Sequence, residues 1–290
     1  MLRTFPLVVL IIGGCAVDAV DADPNAFVDL ARVSPNGTSA NGITAGIKLT
    51  GVAPTGVRPN GASISIAPIG APLSGAGVVG STWTGHVLDG SNVTLRVDDA
   101  EQDSGKNRDI WTYRMSVSIA GTWQPLCVDA SGEPLRADTV RGTWNLGEGV
   151  SGGGAYTADA TDFTVACRGS AIAKCLELGY KAWTGHTGDL TACVRAMRAD
   201  YCGDGKSYTL DGTLVNIFDV DRIAPDDRPW RPEAEWTANG ASCVSAEQNT
   251  RFFQTAHQRP TCFGSTLQPK VSCGTGFSGE TAIITELLPR

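Results

Sequence analysis

The sequence predicts a β-rich α+β protein: an N-terminal β-sandwich or partly open barrel, then a small disulfide-stapled α+β region. Three observations predict it. Period-two alternation of apolar and polar residues recurs through residues 46–168, the pattern of half-buried strands. Two amphipathic helical patterns follow, between residues 170 and 199. Eight of the nine cysteines lie from Cys127 onward.

The chain opens with Arg3, an apolar run from Leu7 to Ile12, and Gly13-Gly14-Cys15. The run is far short of the about 20 apolar residues that span a bilayer. Residues 1–14 resemble a bacterial lipoprotein signal peptide, with a charged start, an apolar segment, two small residues and a cysteine. The resemblance implies that Cys15 is acylated and becomes the first mature residue, so the protein is exported and held in the cell envelope by lipid. More than one acyl chain gives stable anchoring. Ala16, in place of aspartate, is compatible with outer-membrane sorting. Residues 15–45 carry few large apolar side chains and are expected to form a flexible tether.

Cysteine usage agrees with export. Without Cys15 the set is Cys127, Cys167, Cys175, Cys193, Cys202, Cys243, Cys262 and Cys273. An even set in an exported chain is expected to form disulfides, here four. No C-x-x-C pair occurs, which argues against zinc-ribbon and thioredoxin-like chemistry. Net charge is −7, and −8 once Arg3 leaves with the leader. With no basic block, nucleic-acid binding is excluded as an expectation.

The clearest strand spans residues 110–119, where Trp111, Tyr113, Met115, Val117 and Ile119 alternate with polar residues. Residues 92–98 repeat the pattern, and 63–66 and 162–167 are shorter examples. Asp89-Gly90, Ser131-Gly132 and Gly152-Gly153-Gly154 read as turns. Residues 170–179 and 188–199 read as helices. Gly179 stops the first; Leu190, Cys193, Val194 and Met197 form the apolar stripe of the second, with Arg195 and Arg198 near its C-terminus. Antiparallel packing would set Cys175 and Cys193 at similar heights on facing stripes, as a bridge needs. Beyond Cys202, residues 206–210, 214–220 and 234–237 are candidate strands, with Asp211-Gly212 turning between the first two. Residues 223–232, rich in proline and charge, read as a surface loop.

The run Arg198-Ala199-Asp200-Tyr201-Cys202-Gly203-Asp204-Gly205 resembles the signature of the ADYC domain, a family of exported bacterial proteins. Ala171 to Cys175, Gly179 to Trp183, and Trp236 with Gly240-Ala241-Ser242-Cys243 fit its flanks, so the likeness covers about residues 110–290. The resemblance implies an envelope setting and supplies no reaction.

Candidate chemistry is sparse. Asp200, Asp204, Asp211, Asp219 and Asp221 form an acidic series. Turn and backbone-accepting roles weigh most; the alternatives are a cation site and acid/base work. Trp83-Thr84-Gly85-His86 recurs as Trp183-Thr184-Gly185-His186, with Asp89 and Asp189 at equal offsets, and is read as coincidence. The chain has three histidines, His86, His186 and His257, and no H-E-x-x-H motif. Asp200 beside Cys202 would raise a thiol pKa, so Cys202 reads as half a disulfide. Among seven tryptophans, Trp230 between prolines and arginines is the best exposed candidate for sugar stacking.

The expected function is therefore a non-enzymatic envelope lipoprotein, a surface binding or structural module for a glycan or protein partner, with no cofactor. The alternative is a metal-dependent or acid/base hydrolase centred on Asp200 and Asp204, with His186 as the third candidate. A third reading is an inhibitor or toxin-like module that presents loop 223–232.

Overall fold

Alternation builds a first sheet of seven strands: β2 (Leu49–Ala53), β3 (Thr82–Val87), β4 (Asn92–Gln102), β5 (Trp111–Ile119), β6 (Thr122–Pro125), β7 (Ala137–Arg141) and β10 (Phe163–Cys167). The computed structural model describes residues 33–35, 39–45, 48–53, 75–159, 161–255, 258–279 and 281–289. The leader, Cys15, most of the tether, the strand expected at 63–66 and His257 lie outside them. Neighbouring strands are antiparallel in the order β4-β3-β2-β10-β7-β5-β6, and β4 pairs with β5 as well.

That last pairing closes six strands into a ring, with β6 attached outside on β5. The sheet is thus a closed barrel, where a sandwich or partly open barrel was expected. Closure follows from the length of β4: its eleven residues pair with β3 from Thr82↔Arg96 to His86↔Asn92 and with β5 from Thr94↔Ser118 to Gln102↔Trp111. A register shift between Val97 and Asp99 lets the strand bend. Two seams are thin, Phe163↔Val52 and Tyr113↔Ala137. Leu49, Val52, Trp83, Leu95, Val97, Tyr113, Met115, Val117, Phe163 and Val165 fill the interior. Trp111, expected in the core, is half-buried at its edge.

The second layer is a five-stranded antiparallel sheet, order β1-β11-β14-β12-β13: β1 (Val33–Pro35), β11 (Leu214–Asp219), β12 (Arg231–Thr237), β13 (Gly240–Val244) and β14 (Ile283–Leu287). β1, β14 and the start of β12 correct the sequence reading. Val33–Pro35, inside the segment read as tether, pairs with β11 as an edge strand, a place where proline is tolerated. β14, unassigned in the sequence, occupies the centre of the sheet. Arg231 and Pro232, read as loop, begin β12, with a register shift between Pro232 and Ala234 that accommodates the proline. A two-stranded ribbon, β8 (Thr143–Trp144) with β9 (Tyr156–Thr157), lies between β7 and β10 in sequence.

Two helices stand where periodicity placed them: α1 (Ala171–Leu178) and α2 (Thr187–Arg198). Gly179 ends α1 at φ 116°, its N–H turned back to the carbonyls of Cys175 and Leu176, the left-handed stop that favours glycine. A short third helix, α3 (Arg251–Gln254), follows β13. α1 packs on β7 and β10, and α2 packs on β12, β13 and β14. β7 and β10 are therefore covered on both faces and buried at every residue: Phe163 and Val165 face the barrel, while Val140 and Ala166 join the helix-side core with Ile172, Leu176, Leu190, Val194, Met197 and Trp236.

Among the described residues there are three disulfides. Cys175–Cys193 joins α1 to α2 with Cα atoms 5.9 Å apart, the bridge that facing stripes suggested. Cys127–Cys167 ties the chain after β6 to β10, and Cys202–Cys262 ties the end of α2 to residue 262. Cys243 and Cys273 are buried and unbonded, which differs from the expected four disulfides.

Candidate functional site

The acidic series begins where α2 stops. Ala199 takes a left-handed conformation at φ 51°, a strain of roughly 1–2 kcal/mol for a residue with a Cβ. The turn it starts brings Asp200 under the helix, 1% exposed. Its carboxylate accepts from Arg195 Nη1, from Gly205 N at 2.9 Å and from Asp204 N at 3.1 Å. Arg195, itself buried, also donates to Gly153 O at 2.7 Å and Ala238 O at 2.9 Å. Burial pushes the Asp200 carboxyl up from the usual carboxylate range, against the pull of Arg195.

The following residues continue the clasp. Tyr201 is fully enclosed, its hydroxyl donating to Glu233 Oε1 at 2.5 Å and accepting from Arg251 N at 3.0 Å. Glu233 and Arg251 are 0% exposed. Arg251 Nε lies 2.9 and 3.0 Å from the two Glu233 oxygens, and Thr285 Oγ1 donates to Oε2 at 2.8 Å. The guanidinium also reaches the carbonyls of Ala196 at 2.5 Å and Met197 at 3.2 Å, at the end of α2. Gly203, at φ +68°, packs so closely that a Cβ would stand 1.9 Å from Asn239 O, in the β12–β13 turn. Gly205 meets the 147–154 loop, where a Cβ would stand 2.2 Å from Gly147 O. The Ala-Asp-Tyr-Cys turn thus ties α2 to the β12–β13 hairpin, to α3 and to the loop joining β8 and β9.

The remaining candidates scatter. Asp204 Oδ1 accepts from Lys206 N at 3.0 Å. Residues 206–210, expected to form a strand, instead serve the end of α2: Tyr208 N and Ser207 Oγ donate to Arg198 O. Asp219 accepts from Tyr180 Oη at 2.9 Å and from the N–H groups of Ile223 and Ala224. It therefore caps the start of loop 223–232. His186 lies with neither Asp200 nor Asp204. Its Nδ1 is 2.8 Å from Asp189 Oδ2 and 3.9 Å from Asp221 Oδ2. These three side chains could offer ligand atoms within 4.8 Å of one another, beside a cleft of about 350 Å³ lined in part by Asp109, Lys181, His186 and Ile223. The earlier copy differs, with His86 Nδ1 against Asn92 Oδ1 at 2.9 Å on β3. Trp230 is half-buried, while Trp123 is 39% exposed under the Arg96 guanidinium.

Sequence reasoning missed three features. Glu233 and Glu235 alternate in a short strand, a pattern that mimics a solvent face, yet Glu233–Trp236 is buried throughout because β12 is central and covered. Arg168 faces Asp103 at 2.6 Å, Asp138 at 3.3 Å and Glu177 at 3.5 Å, a junction of barrel and α1 assembled from distant positions. Burial pushes the Asp138 carboxyl up to about 7, and Glu177 is raised by burial as well. Third, Gly149-Val150-Ser151-Gly152-Gly153 has nucleophile-elbow spacing. It sits in the turn joining β8 and β9 and lacks the strand-to-helix context that such an elbow needs.

Fold and site together define a disulfide-stapled barrel-and-sheet protein whose signature motif is built into its core. The chain belongs to the ADYC domain family: the family model matches residues 75–250. The match takes in most of the barrel, both main helices and β11 to β13. It begins upstream of residue 110 and ends before residue 290, the limits that the motifs had suggested. No curated protein and no solved structure matches the chain.

Proposed function

We propose that the protein is a non-enzymatic lipoprotein of the cell envelope, anchored through Cys15, whose folded body is a binding or structural module for an envelope glycan or protein. One observation carries the non-enzymatic part. The motif carboxylate of Asp200 is spent on a buried guanidinium and two backbone N–H groups, so it faces no substrate. The anchor rests on the signal-like run ending at Cys15 and on the oxidised cysteine pairs, which suit an exported chain. Cys15→Ser in the full chain tests it: the variant should move from the membrane to the soluble fraction, and continued membrane association would overturn the reading.

A second reading has one supporting observation, the His186–Asp189–Asp221 cluster beside its cleft. On that reading a divalent cation binds His186 with the two carboxylates, and hydrolysis is sought there instead of at Asp200 and Asp204. Titrating the full chain with zinc alone separates the two. Stoichiometric binding lost in His186→Ala favours the second reading; no saturable binding favours the first.

A further inference from the structure

Cys243 and Cys273 are the described cysteines left without a bond, and they are not scattered. Cys243, on β13, is the direct cross-strand partner of Glu235 on β12. Cys273 lies on the segment before β14. The two sulfurs and a Glu235 oxygen lie within 4.8 Å of one another, all from buried residues. Cys273 is the single buried residue of the strap 268–279, where every other residue is exposed or half-buried. Val271 stands fully in solvent.

Such a strap buries too little apolar surface to hold itself. Hydrogen bonds are among its other fixings. Lys270 N donates to Val244 O at 2.8 Å, and Glu235 accepts from Gly274 N at 2.9 Å and from Ser278 Oγ. The strap also carries Phe277, whose ring stands edge-on to Phe218, with centroids 5.9 Å apart. Phe277 forms one wall of a groove of about 560 Å³ that includes Phe218, Arg222, Pro225 and Asp226.

We propose that Cys243 and Cys273 close as a fourth disulfide, and that this bond seats the strap that walls the groove at Phe277. The reaction is exchange with a protein disulfide donor. One thiolate attacks the donor disulfide and forms a mixed disulfide. The second then displaces the donor. The two cysteine sulfurs lose two protons and two electrons, and the donor leaves as a dithiol. Burial pushes both thiols up, and the Cys273 thiol is raised further by its hydrogen bond to Cys243, so the exchange belongs to folding, before the strap covers the pair. A metal centre fits less well: both Glu235 oxygens already accept hydrogen bonds from N–H and O–H donors, and two sulfurs alone leave a divalent ion short of ligands. The inference is independent of what the groove binds.

The test uses the full chain, taken from the envelope with thiols blocked at lysis and mapped by mass spectrometry without reduction. The expected result is a peptide pair linked through Cys243 and Cys273. The paired substitution Cys243→Ala/Cys273→Ala should then raise the rate of tryptic cleavage after Lys270 at least several-fold while leaving Cys175–Cys193 intact. Two blocked thiols in a chain whose other three pairs are bonded would overturn the proposal. So would stoichiometric zinc released when those thiols are modified. Unchanged cleavage in the paired variant would overturn the strap's dependence on the bond.

Discussion

Asp200→Asn separates a clasp from a catalytic group. The side chain keeps its shape and loses its charge. In the native turn one carboxylate oxygen meets both Arg195 Nη1 and Gly205 N, and the other meets Asp204 N. An amide offers one accepting oxygen, so its NH₂ must face a donor in either orientation. Arg195, 3% exposed, is left without its anion. Removing one partner of a buried pair costs about 3–5 kcal/mol. The carbonyls of Gly153 and Ala238 still serve Arg195, which places the cost toward the lower end. At about 2–4 °C per kcal/mol for a chain near this size, Tm falls by about 6–20 °C. Thermal and urea unfolding followed by circular dichroism, beside the native protein, measures it. A shift within about 0.5 kcal/mol, as at an unconstrained surface site, would refute the reasoning and return Asp200 to the list of functional carboxylates.

Other outcomes follow from neighbouring geometry. Glu233→Gln leaves the fully buried Arg251 uncompensated and should cost about 3–5 kcal/mol; Tyr201→Phe, which removes one of several donors to Glu233, should cost about 1–2 kcal/mol, and the reverse order in urea unfolding would contradict the network. Asp138 binds its proton more tightly folded, at about 7, than unfolded, at 3.8. The folded state therefore holds the extra proton between those values, and stability present at low pH is lost as pH rises toward 7. Unfolding midpoints from pH 4 to pH 8 should show that loss, and Asp138→Asn should flatten it; an unchanged profile would contradict the assignment. Gly203→Ala should cost well over about 1 kcal/mol, because its Cβ meets Asn239 O, whereas Gly90→Ala, also at positive φ but with open space around it, pays the backbone strain alone. Equal losses at the two sites would remove the close-approach argument.

Local pattern was enough for much of the fold. The apolar stripe of α2 and the glycine stop of α1 were legible, and with them the Cys175–Cys193 bridge. So was the alternation of β5. What escaped depends on pairing at long range. Nothing in Ile283–Leu287 says that it lies mid-sheet between β11 and β12, and nothing in Val33–Pro35 announces a partner in β11. Residues 206–210 look like a strand, yet Ser207 Oγ and Tyr208 N donate to Arg198 O, one of the last-turn carbonyls that have no partner inside the helix. The site was legible as a name and not as a role. Asp200 could be flagged from the motif, while Arg195 as its counter-ion and Glu233 with Arg251 beneath Tyr201 emerge only when α2, β12 and α3 converge.

Amide hydrogen exchange at Asp204 and Gly205 reaches the central claim most directly, since both N–H groups end on the Asp200 carboxylate. If the motif is a clasp, the two amides exchange only with global unfolding, at the rate of the central strand β14, and Asp200→Asn speeds both. Exchange at the rate of an exposed turn in the native protein would contradict the account and show the motif to be a loop open to a ligand.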